Sequence, residues 1–167
     1  GTPIAFSSRD TYARALLVGV LNTLRVWLLG MTLATVLGVA CGVARLSQVW
    51  IVSTLARSYV EVVRNTPLLL QLLFWYSLSQ ALPGPAEALT PVPGVFLCYR
   101  GLFVPRLVAD TSWPWLGVER PVLVHFGFQG GTSVSPEFAA LLVGLTIYTA
   151  AFIGEIVRGG ILAVNKG

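Results

Sequence analysis

The sequence predicts an all-α fold: a polytopic bundle of about three transmembrane helices, with an irregular Pro-rich connection on the extracytoplasmic side. Three observations predict it. Of 167 residues, 55% are hydrophobic and only 11% charged, against about a quarter charged in an average soluble domain, and the mean hydropathy is +0.77. Charges are absent from three long intervals, residues 26–44, 65–86 and 138–154. Eight of the ten prolines lie at positions 83, 85, 91, 93, 105, 114, 121 and 136, so the helix-breaking residues are gathered in one segment.

The first span is expected over about residues 17–44. Its charge-free part, 26–44, is 19 residues long, which at about 1.5 Å per residue nearly matches a hydrocarbon core of about 30 Å. Arg9, Asp10 and Arg14 precede it, but the run is too long and too poor in cleavage-site residues for a secretory signal, and it reads as a retained span. Arg25 lies near enough to an end to snorkel. Ala34, Gly38 and Gly42 recur every four residues and make a smooth stripe on which another helix can pack.

The second span falls within residues 51–82. Up to Val63 the pattern is amphipathic, with Val52, Leu55, Ala56, Tyr59, Val60 and Val63 on one face and Arg57, Glu61 and Arg64 on another. Beyond Arg64, LLLQLLFWYSL is bulky and uncharged, and Trp75 and Tyr76 stand where an aromatic belt could begin. The connection, 83–136, is hostile to helix, yet its Phe, Trp and Val content predicts a folded segment and not a disordered linker. The third span, 137–158, contains the 17-residue run FAALLVGLTIYTAAFIG and ends at Glu155 and Arg158.

Several function classes drop out. The net charge of +4 comes without a Lys/Arg cluster, so no nucleic-acid partner is expected. Cys41 and Cys98 read as packing residues, His125 as a structural histidine, and no group of ligands has metal-site spacing. Catalytic residues, metals and cofactors are not predicted. A Gly-rich phosphate loop with Lys and Ser or Thr is missing, so ATP hydrolysis would belong to another subunit.

The candidate path or gating residues are the polar groups at or near the apolar runs: Glu61, Arg64, Asn65, Thr66, Pro67, Gln71, Tyr148, Thr149, Glu155 and Arg158. Ionisable groups at membrane depth are costly and are kept mainly where they line an aqueous path or pair with one another. Glu61 with Arg64, and Glu155 with Arg158, are spaced i, i+3 and can pair. Three readings of the first pair stand: contact with a zwitterionic solute, with Pro67 bending the helix; an interfacial ion pair with Pro67 opening a new helix at its first turn; or contact with a partner subunit. Thr149 has two readings, lining the path or bonding its own backbone four residues back.

Arg45, Arg57 and Arg64 fall within 20 residues, whereas Arg100, Arg106 and Arg120 are spread through the 54-residue connection. The denser group marks the cytoplasmic side. With three spans, the N-terminus and the connection are then extracytoplasmic, and Arg158 and Lys166 cytoplasmic.

ARLSQVWIVSTLARSYVEVVRNTPLLLQLLFWYSL and LTIYTAAFIGEIVRGGILAVNKG resemble the two best-marked segments of the permease subunits of polar amino-acid ABC importers, above all the general L-amino-acid type, and PGVFLCYRGLFVPR resembles that subtype's outward-facing connection. The resemblance implies a multi-pass protein of the bacterial inner membrane that works by alternating access. Its implied partners are the lipid bilayer, a second permease subunit, cytoplasmic ATPase subunits and a periplasmic amino-acid-binding protein. In that family the sequence after AVNKG runs on into an ATPase-docking loop and further spans, and additional hydrophobic spans often occupy the interval corresponding to Arg106–Gly130. Residues 1–167 are therefore expected to be an N-terminal, partial permease domain with a shortened connection. The alternatives from other classes are a non-transporting membrane assembly subunit and, with less in the sequence to support it, a membrane-embedded enzyme.

Overall fold

The computed structural model describes residues 11–109, 116–124 and 127–164; His125 and Lys166 lie outside them. The chain divides into two compact units. One is helical and comprises residues 19–75 and 141–167; the other comprises residues 1–18 and 76–140 and is rich in strand.

Four helices carry the helical unit: α1 (Tyr12–Ala44), α2 (Trp50–Asn65), α3 (Leu68–Gln80) and α4 (Pro136–Ala163). Of these, α1 and α4 are long and apolar enough to cross a membrane. At 33 residues, α1 extends about 50 Å, well beyond a hydrocarbon core. Its threonines bond inward: the hydroxyls of Thr23, Thr32 and Thr35 donate to the carbonyls of Gly19, Leu28 and Met31 at 2.9, 2.8 and 2.8 Å, which satisfies them without water. Large side chains such as Leu28 and Trp27 point outward and are exposed. A soluble monomer rarely leaves so much apolar surface open.

The sequence allows one span across 51–82; the chain instead breaks between α2 and α3. Proline excludes its predecessor from helical geometry, and Thr66 is accordingly extended at φ −104° and ψ 126°. Pro67 then opens α3, its carbonyl accepting from the amides of Leu70 and Gln71. Neither piece, of 16 and 13 residues, is long enough to cross alone. The core of this unit is small: Cys41, Val60, Val63 and Ala151, with Ala56, Tyr59, Ile147 and Tyr148 packed around them.

The connection departs from the all-α expectation. It holds a 3-10 turn at Pro85–Glu87 and eight short strands: β1 (Leu89–Val92), β2 (Val95–Cys98), β3 (Gly101–Val104), β4 (Arg106–Ala109), β5 (Leu116–Glu119), β6 (Val122–Val124), β7 (Gly127–Gln129) and β8 (Thr132–Val134). They form an antiparallel sheet in the order β1-β2-β3-β8 and two separate hairpins, β4-β5 and β6-β7. The prolines forbid helix but suit this arrangement. Pro91 sits on the edge strand β1, where a missing amide donor costs little. Pro93 and Gly94, the latter at φ +86°, make the two-residue turn joining Val92 to Val95, with glycine where a positive φ is required. Phe96 and Phe103 pair across β2 and β3, and Phe128 stacks against both at centroid distances of 4.7 and 4.5 Å.

Candidate functional site

A network of four charged side chains sits in the helical unit. Glu155 on α4 pairs with three arginines and accepts hydrogen bonds from two of them. Arg158, three residues on, donates at 3.2 Å from Nε and 2.7 Å from Nη2 to Oε1. Arg45, just past the end of α1, donates to Oε2. Arg64, in the last turn of α2, places Nη1 3.5 Å from the same oxygen. Side-chain exposure is 10% for Arg45, 28% for Glu155, 32% for Arg158 and 42% for Arg64. Arg64 also lies over the Phe152 ring, 5.4 Å from its centroid, a geometry in which a cation is attracted to the ring face. One carboxylate thus ties together α1, α2 and α4.

The pair Glu155–Arg158 is formed on one helix, whereas Arg64 turns to Glu155 and not to Glu61. Glu61 is exposed and has no ion pair among the described residues. Tertiary approach overrides the i, i+3 spacing because a partner on a packed helix is more confined than a solvated neighbour on the same helix. Arg45 is a member that sequence reasoning missed. Its signal was there: Arg45 and Glu155 each end a long charge-free run, so two spans of similar length bring them to the same depth.

The other candidate residues fall around the α2–α3 break and along α4. Gln71 is buried, and its amide Nε2 donates to the carbonyls of Val63 at 2.9 Å and Thr66 at 3.1 Å. Those carbonyls lie at the C-terminal end of α2, where the helix leaves acceptors without partners, so Gln71 holds the break in shape. Thr66 Oγ1 donates to Val62 O at 2.8 Å, and Asn65 is exposed. Replacing Gln71 with Ala is expected to lower the stability of the helical unit by about 1 kcal/mol, since Thr66 O loses this donor and Val63 O is left with the Thr66 amide at 3.4 Å; thermal unfolding in detergent measures it, and an unchanged midpoint would deny Gln71 this role.

Tyr148 is half-buried, its ring 4.9 Å from that of Phe152, as a packing residue of the core. Thr149 makes no hydrogen bond to its backbone among the described residues; the buried hydroxyl without a partner is that of Thr146. Tyr59, also missed, donates its hydroxyl to Ile147 O at 2.7 Å and fixes α2 to α4. Ala34, Gly38 and Gly42 are buried. A methyl group built on Gly38 would stand 2.6 Å from Ile153 Cβ and 2.9 Å from Ala150 O, and one on Gly42 would stand 2.8 Å from Gly154 O and 2.9 Å from Val157 Cβ. Similarly Gly144 faces Leu72 of α3 at 2.6 Å. In the strand-rich unit, an open cavity of about 510 Å³ has Tyr99, Arg100 and Glu137 in its lining; none of the predicted site residues is there.

Two apolar helices of spanning length, packed through small residues and joined by charges where their apolar runs end, fit a membrane protein. Comparison with known proteins narrows the class. The general L-amino acid transport system permease protein of Rhizobium johnstonii is 36% identical over 98% of this chain and 55% of its own length. The glutamate/glutamine/aspartate/asparagine transport system permease protein of Rhodobacter capsulatus is 31% identical over 99% of this chain and 59% of its own. For the nopaline transport system permease protein of Agrobacterium fabrum the figures are 32%, 91% and 47%. Along nearly its whole length the chain is similar to the permease proteins of amino-acid transport systems. It spans about half the length of the curated relatives it matches. The first two alignments run over 219 and 250 positions, more than the chain's 167 residues, so those relatives carry residues within the matched region that this chain lacks. No family profile matches the chain, and no solved structure does.

Proposed function

We propose that the chain forms part of the translocation core of a permease subunit in an ATP-driven importer for amino acids. The observation that carries this is the relationship along nearly the whole chain to permeases whose named cargo differs: L-amino acids in general, a set of four acidic and amide amino acids, and nopaline. A segment shared among such cargoes serves the path and its motion, and selection among amino acids falls to a separate periplasmic binding protein. Hydrolysis falls to cytoplasmic ATPase subunits, a second permease subunit completes the path, and this chain is not itself an enzyme.

In this reading α1, the α2–α3 pair and α4 are three spans of a bacterial inner-membrane protein. The N-terminus and the strand-rich segment are extracytoplasmic, and the end of α4 is cytoplasmic. Alternating access needs helices that rock as bodies about defined joints. The Thr66–Pro67 break closed by Gln71 supplies a joint, and the Glu155 network supplies a contact that couples α4 to α1 and α2. Arg64, the most exposed of the three arginines, is the one free to exchange Glu155 for the carboxylate of a passing amino acid.

The test is uptake of radiolabelled amino acids into proteoliposomes holding the full-length polypeptide with its partner permease, ATPase and binding protein. ATP-dependent uptake is expected, severely reduced by Arg64→Ala with the complex still assembled, and little changed by Glu61→Ala. Undiminished uptake by Arg64→Ala would reduce the network to an anchor. Absence of uptake by the unmutated complex would overturn the importer reading.

A further inference from the structure

The Glu155 network is not electrically balanced. Three guanidinium groups share one carboxylate, leaving two positive charges uncompensated, and the nearest further acid on α2, Glu61, makes no ion pair with them among the described residues. The most buried member is also under-used: Arg45 Nε is buried and has no hydrogen-bond partner, although its side chain is only 10% exposed. Guanidinium presents its donors as a planar fork suited to oxyanions, and excess charge in a partly desolvated place is costly until an anion answers it.

The depth of the cluster selects the anion. The charge-free run of α1 ends at Arg45 and that of α4 ends at Glu155, so in a spanning orientation the arginines stand where hydrocarbon gives way to headgroups. On faces turned away from the arginines, Val43, Val62 and Ile156 are 55%, 65% and 73% exposed, so apolar surface on the three helices reaches this depth.

We propose that Arg45, Arg64 and Arg158 bind the phosphate of an anionic phospholipid headgroup, with Glu155 as the built-in counter-charge that the lipid supplements. The inference rests on the membrane-spanning reading and is independent of which solute is carried, so lipid binding and uptake can fail separately.

The experiment is native mass spectrometry of the full-length polypeptide in detergent, titrated with phosphatidylglycerol or phosphatidylcholine. Phosphatidylglycerol is expected to be retained in preference, roughly fivefold more weakly for each arginine removed in Arg64→Gln and Arg158→Gln. Glu155→Gln is expected to strengthen retention, since it deepens the charge excess; a purely structural role for the network gives no gain. Equal retention of the two lipids, or indifference to all three substitutions, overturns the proposal. Displacement of the lipid by millimolar inorganic phosphate would transfer the site to a soluble anion and overturn the lipid assignment. Should the variants fail to fold, the unmodified chain decides. Its thermal midpoint should rise with phosphatidylglycerol and not with phosphatidylcholine, less so at high salt, and an equal rise with both refutes the site.

Discussion

Replacing Gly38 with Leu, or both Gly38 and Gly42 with Ala, is expected to force α1 away from α4 and to lower the thermal midpoint of the full-length protein in detergent by several degrees. The added Cβ at Gly38 would meet Ile153 Cβ at 2.6 Å and the backbone oxygen of Ala150 at 2.9 Å, and the one at Gly42 would meet Gly154 O and Val157 Cβ. None of these obstacles is the free end of a flexible side chain, so no rotamer change relieves them. Helices can only move apart. Overpacking of this kind costs about 1–3 kcal/mol per site, and in lipid little hydrophobic force remains to hold separated helices together, because close van der Waals contact is the main attraction. Gly19, Gly159 and Gly160 supply the control. A Cβ at any of them meets nothing within 4 Å, and Ala there should be neutral or slightly stabilising because it favours helix over glycine. Equal midpoints for Gly38→Ala and Gly19→Ala would refute the close-contact account.

The same glycines mark what could be read in the sequence. The four-residue spacing of Ala34, Gly38 and Gly42 is a local pattern, visible without a structure, and so are the long apolar runs that became α1 and α4. The surface those glycines meet is set by residues more than 100 positions away, and periodicity carries no information about that choice. Pro67 shows a limit of another kind. A proline after an amphipathic helix is compatible with a kink or with a new start, and the difference lies in whether some side chain completes the carbonyls left open. Here Gln71 does so, and α2 and α3 are separate. The connection misled in the opposite sense. Its prolines exclude helix, but alternating Val, Leu and Phe between Pro and Gly turns are also a hairpin signal, and strands of three or four residues are too short for the alternation to stand out. Arg64 was assigned the nearest acid along its own helix, and the fold supplied a better one.

Removing that better acid is the second large effect. With Glu155→Ala, Arg45, Arg64 and Arg158 would face one another with no carboxylate between them. Breaking a buried pair by deleting one partner costs about 3–5 kcal/mol; partial exposure of Glu155, Arg158 and Arg64 screens the repulsion, so about 2 kcal/mol is expected for the folded chain. The loss should be divided unequally among the arginines. Arg45 is the least exposed and Arg64 the most, so Ala at Arg45 should destabilise most and Ala at Arg64 least. Double-mutant cycles against Glu155→Ala separate this from loss of packing, because coupling between two groups appears only when both are present. Coupling energies ranking Arg45 above Arg158 above Arg64 are expected, with none for Glu61→Ala combined with Arg64→Ala. A measurable Glu61–Arg64 coupling that exceeded the one between Arg64 and Glu155 would mean that the local pair, and not the inter-helix network, holds the end of α2. The coupling of α4 to α2 proposed for transport would then lose its physical basis.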